Sequence, residues 1–79
     1  MNNQILLFKI FADVLAVDIS ILDENSSSDT IPSWDSLAII NLVCELEQIF
    51  SVQFDVLEIA DFRNISIIKS ILMEKGVVF

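Results

Sequence analysis

Apolar and polar positions along the chain repeat with a helical period. Between 36 and 50, Ile39, Leu42, Val43, Leu46 and Phe50 recur at helical spacings. At 100° per residue they share one face. Asn41, Glu45 and Gln48 gather opposite, and Leu37, Ile40 and Cys44 form an apolar flank beside Ser36, off the centre of the core face. Asp35 precedes this run and suits an N-cap, because its carboxylate can accept from the orphaned amides of a first turn. A helix over 36–50 is predicted. Another is predicted over 3–17, where Gln4, Lys9 and Asp13 occupy one sector and the rest is Ile, Leu, Phe, Val and Ala. Lys9 and Asp13, four apart, are spaced to pair on its wet side. Its apolar arc is wider than one core face needs, so part of it is left for solvent or a partner.

Residues 18–34 break the period. Asp, Asn, Ser, Thr and Pro predominate there, which predicts a long loop. Ile19, Ile21, Leu22, Ile31 and Trp34 are expected to anchor it to the bundle. A short third helix is predicted over 55–60, where Asp55 and Glu58 have capping-box spacing. A last helix is predicted over 64–75. Asn64 suits its cap, Ile65, Ile68 and Leu72 share a face, and Gly76 suits the position past its end. Phe8, Phe11, Phe50, Phe54 and Phe62 are expected in the core, and Met73 as core or surface filler. The expectation is one all-α domain over 1–79: a four-helix bundle of three longer helices and a short third, with a long loop between the first two.

Composition supports this. There is one Gly and one Pro, too few turn formers for an all-β chain. Residues are 54% apolar and only 20% charged, which excludes intrinsic disorder. There is no His and a single Cys. A Ser-His-Asp or Cys-His nucleophile cannot be built, nor the usual zinc sites, nor an internal disulfide. A non-enzyme without a metal is expected.

Twelve acids face four bases, for a net charge of −8. No base lies between Lys9 and Arg63, and every acid except Glu74 does, leaving eleven of the twelve in that stretch. Such a field repels nucleic acid and anionic membranes and attracts basic protein surfaces; it also keeps an apolar small protein soluble. Ile5–Val17 is apolar, but Lys9 and Asp13 interrupt it and it falls short of the ~20 residues that span a bilayer. A cytoplasmic monomer without stable membrane insertion is expected.

Helix, long loop, then Trp34-Asp35-Ser36-Leu37 opening a second helix that runs through Leu42, Leu46, Glu47 and Phe50, followed by Phe54-Asp55 and by Phe62-x-Asn64-Ile65: this order resembles the acyl carrier proteins. The resemblance covers essentially the whole chain. It implies that Ser36 carries a 4′-phosphopantetheine arm, attached from coenzyme A by a separate phosphopantetheinyl transferase, and that acyl groups ride on the arm as thioesters. It also implies partner enzymes (acyl-activating, synthase or transferase) with basic docking surfaces. Asp35, Glu45 and Glu47 would supply charge to that recognition face, and Leu37, Ile40 and Cys44 an apolar strip. Leu46 and Phe50 would line a cavity for the acyl chain. A Ser at the start of a helix suits the attachment, since the positive end of the helix dipole favours a phosphate.

The chain departs from housekeeping fatty-acid carriers. Its second helix is less acidic, with Ala38, Ile39, Asn41 and Gln48, and Ser51 stands where those carriers have Gly. Trp34, preceded by Asp29-Thr30-Ile31-Pro32, resembles dedicated carriers of secondary pathways. Fatty acyl, polyketide, aminoacyl and hydroxy-acid cargoes all remain open. An aminoacyl or peptidyl carrier, or an unmodified helical adaptor, are the alternatives.

Overall fold

Among the described residues the fold comprises four α-helices, α1 (Asn3–Leu15), α2 (Ser36–Phe50), α3 (Val56–Ala60) and α4 (Ile65–Glu74), with one 3-10 turn at Ile19–Ile21. The computed structural model describes residues 2–79, and no strand occurs among them. The radius of gyration is 11.4 Å, against about 11.6 Å for a folded chain of this length. Among the described residues no helix is long and apolar enough to cross a membrane.

Each helix starts on a side-chain cap. Asn2, Asp35, Asp55 and Asn64 accept from the amides of Ile5, Ala38, Glu58 and Ile67, all within 2.8–2.9 Å. The box at α3 is reciprocal, since the Glu58 carboxylate accepts from the Asp55 amide at 2.9 Å. Such caps contribute about 1 kcal/mol each. The end of α4 follows the expected chemistry. Gly76 is left-handed at φ 96°, and Val77 N–H donates to the Leu72 carbonyl while Gly76 N–H donates to that of Met73, the pattern of a Schellman cap.

The first helix ends two residues earlier than its apolar run suggests. Ala16 turns left-handed, at φ 56°, and the Ser33 hydroxyl donates to the Leu15 carbonyl at 2.7 Å. The loop thus closes the helix from a distance in sequence. Lys9 and Asp13 form none of the ion pairs found among the described residues.

The core joins all four helices and the loop. Leu7, Phe11, Leu15, Leu42, Leu46, Ile65, Ile68 and Leu72 are almost completely buried. Truncating one of these leucines to Ala would cost about 2–5 kcal/mol, a large share of a small domain's stability. On α2 the buried line is Ala38, Leu42 and Leu46, with Ile39, Val43 and Phe50 packed at its margin. The burial centre is therefore rotated toward Ala38 relative to the expected face. Phe11, Phe54 and Phe62 are buried, Phe8 and Phe50 partly so, and Met73 lies at the surface.

Two of the five expected loop anchors are fully buried, Ile31 and Trp34. Leu22 packs against the core at its edge. Ile19 and Ile21 are exposed, because the 3-10 turn points them outward as the Asp18 carboxylate caps it through the Ser20 amide. The loop also serves α4. The carbonyls of Ser26 and Glu24 accept from the amides of Ile65 and Ser66, satisfying two first-turn donors that a helix cannot satisfy itself. Lys69 Nζ reinforces the contact at 3.0 Å from Glu24 Oε1.

Candidate functional site

Trp34 fixes where α2 begins. Its side chain is 4% exposed and its ring lies 5.5 Å from that of Phe11 in the core. The next residue, Asp35, caps the helix, and Ser36 opens its first turn. Ser36 is exposed, and its hydroxyl makes no hydrogen bond among the described residues. The amides of Ser36 and Leu37 are likewise unpaired there, while the third, from Ala38, is taken by Asp35. Two free donors and the helix dipole favour negative charge at this point.

Beside Ser36 opens a cleft of about 480 Å³. Trp34, Ile39, Ala60 and Phe62 form its apolar wall, and the loop at Ser27–Asp29 closes one side. Asp29, Asp35 and Arg63 supply its charges. Phe62 is held by an edge-on contact with Phe54, ring centroids 5.1 Å apart. The groups with lowered pKa lie outside this cleft. Glu58 is held below the usual carboxylate range chiefly by the Lys75 side chain and next by the Asp55 amide. Asp18 is lowered chiefly by the Ser20 amide. Among the described residues no three His, Cys, Asp or Glu side chains gather as metal ligands do.

The expected recognition residues are dispersed. Leu37 and Ile40 are 67% and 58% exposed, and Cys44 is exposed as a free thiol. They continue from Ser36 as an apolar strip. Glu45 lies nine residues on, about 180° around the helix from Ser36 at 100° per residue. It borders a different groove, between α1 and α2, with Leu6, Lys9 and Asp13. Glu47 is partly buried and accepts from the Phe54 amide at 3.0 Å, so it braces the turn after α2. Leu46 is fully buried in the core. Phe50 lies fourteen residues past Ser36, about 21 Å along the axis, where its ring approaches that of Phe79. Neither borders the cleft beside Ser36.

Three features escaped the sequence pattern. Arg63 borders the cleft, although only its isolation at the end of the acidic stretch sets it apart in the sequence. Val56 and Leu57 on α3 are 80% and 82% exposed. The five-residue length of α3 was the available signal, since so short a helix buries little of its own surface. No family model and no curated protein matches the chain.

Proposed function

We propose that the chain is a stand-alone acyl carrier protein with an acyl-carrier type of four-helix bundle, bearing its cargo on a 4′-phosphopantetheine arm at Ser36. The observation that carries this reading is the setting of Ser36: a solvent-facing, unbonded hydroxyl on the first turn of α2, beside an open cleft. The residues present fit the arm. Ser36 offers Oγ for a phosphodiester, the amides of Ser36 and Leu37 offer donors, and the cleft leaves room at the attachment point. When bound, the arm supplies a thiol that holds an acyl group as a thioester.

Ser26 and Ser27 fit less well, and Ser28, although exposed on the same cleft, stands on the loop and not at the start of a helix. Ser26 is buried, and its hydroxyl accepts from the Asp23 amide. The Ser27 hydroxyl accepts from the Asp29 amide. In the attachment step the Ser36 hydroxyl would form a P–O bond to the pantetheine-side phosphorus of coenzyme A as the pyrophosphate P–O bond breaks and adenosine 3′,5′-bisphosphate leaves. The hydroxyl proton would pass to a base of the transferase, so none is needed within this chain. Partner enzymes with basic surfaces would meet Asp35 and the strip of Leu37, Ile40 and Cys44. A chamber around Leu46 and Phe50 would require the helices to part, since Leu46 is sealed in the core. The Trp34 context favours a dedicated pathway, and an aminoacyl carrier would use the same Ser36 chemistry.

The test is an intact-mass measurement after incubation with coenzyme A and a broad-specificity phosphopantetheinyl transferase. A gain of one arm, abolished by Ser36→Ala, is expected. No gain, or a gain that survives in Ser36→Ala, overturns the reading in favour of an unmodified adaptor or another attachment site.

A further inference from the structure

We infer that Arg63 is a positioning residue for the phosphodiester at Ser36, its guanidinium forming the cationic side of the cleft that receives the anion. This rests on the carrier reading above. Of the chain's four basic residues, Arg63 alone borders the Ser36 cleft. Lys9 borders the groove between α1 and α2, Lys75 a cavity near Phe50, and Lys69 pairs with Glu24. The remaining charges on the cleft are the carboxylates of Asp29 and Asp35. An anion fixed to Ser36 would therefore face two like charges, and beside the helix amides Arg63 is the cation on the rim that offsets them.

The guanidinium is held ready for this. Its Nε–H donates to Asp61 Oδ1 at 2.9 Å, and its Nη donors have no partner among the described residues. One edge is thus pinned while the other presents parallel N–H groups, the geometry that matches two phosphate oxygens. The backbone is pinned as well. Arg63 N–H donates to the Asp61 carbonyl at 2.8 Å, Phe62 before it is buried, and Asn64 after it caps α4.

The experiment loads the full chain with the arm, confirms loading by intact mass, and records phosphorus NMR together with the arginine Nε–H resonances. Parental protein, Arg63→Lys and Arg63→Gln are compared. In the parental protein the Arg63 Nε–H resonance should move on loading. The phosphorus resonance should shift by more than its linewidth in Arg63→Gln. Arg63→Lys, which keeps the charge and loses the fork, should fall between. Full loading with the same phosphorus resonance in all three, and an Arg63 signal unmoved by loading, overturns the inference and leaves the carrier reading intact. A raised transferase KM in Arg63→Gln with that unchanged resonance would assign Arg63 to partner docking and overturn it equally. No mass gain in any of the three removes both. The Arg63 side chain is 71% exposed, so the variants should fold, and the parental Nε–H signal needs no variant at all.

Discussion

The carboxylate of Glu47, near the end of α2, accepts a hydrogen bond from the backbone amide of Phe54, 3.0 Å away and beyond the turn. It joins the helix carrying Ser36 to the segment that leads into α3. Phe54 is itself buried against Phe62, so the bond also helps to set the far wall of the cleft.

Glu47→Ala should therefore destabilise the fold by about 1–2 kcal/mol, since a hydrogen bond to a charged group is lost and a partly buried amide is left unpaired. Glu47→Gln, which keeps an acceptor, should lose less. Urea unfolding monitored by circular dichroism measures both. Equal stability of Glu47→Ala and the parent would show that the bond contributes nothing. For the same reason a charge reversal at Glu47 is a poor probe of partner charge, and Asp35 is better placed.

Ser51 follows α2 in the left-handed region at φ 55°. A side chain there costs about 1–2 kcal/mol, and glycine does not pay it. Ser51→Gly should raise stability by about 1 kcal/mol, or roughly 4–8 °C in Tm for a domain of this size. Ala16→Gly, at φ 56°, should act in the same direction, and the two gains should add if the sites are independent. Calorimetry of the single and double variants checks this. Gly76→Ala should do the reverse, because φ 96° is strained for any L side chain although open space surrounds it.

The lowered pKa of Glu58 makes its contribution pH-dependent. Its folded-state value is depressed, first by Lys75 and then by the Asp55 amide. The unfolded state therefore binds the proton more readily, and stability rises with pH across this window. The contribution is fully present above the ordinary Glu value of about 4.3 and is lost as pH falls through the lower folded value. Glu58→Gln should thus be less stable than the parent at neutral pH, and the gap should narrow on acidification. Tm measured for both proteins from pH 7 to pH 3 decides it; a gap independent of pH would rule out the titration.

Leu37 is two-thirds exposed, so Leu37→Ala should change stability by no more than about 0.5 kcal/mol. If the strip beside Ser36 contacts partners, the variant should raise the transferase KM with an unchanged salt slope, because an apolar contact and not a charge is lost. Asp35→Asn retains a capping side chain and should alter the salt slope instead. Parental kinetics in both variants across salt concentrations would place recognition elsewhere, with the exposed Val56 and Leu57 as the next candidates.

The sequence alone determined what depends on near neighbours. Helical periodicity and a capping residue located α2 over its full length, and Asp55, Asn64 and Gly76 marked helix ends through bonds spanning three to five residues. The helical class followed from the same local signals, as did Ser36 on a first turn. Tertiary structure decided what depends on distant partners. Helix α1 ends at the left-handed Ala16, whose amide bonds the Ala12 carbonyl, and the distant Ser33 satisfies the Leu15 carbonyl left over. Ile31 and Trp34 are buried while Ile19 and Ile21 are not, since the turn at Asp18 sets which way the loop faces. Glu45 and Glu47 were both expected to supply charge to one recognition face. One borders a groove against α1 and the other braces Phe54. The Ser36 cleft joins the loop at Ser27–Asp29 to Arg63 before α4, a juxtaposition that accompanies the docking of the loop on α4 through the carbonyls of Glu24 and Ser26. A periodic pattern records which side of a helix is apolar; it carries no record of which segment covers that side, because chain-distant contacts form only when the whole core packs.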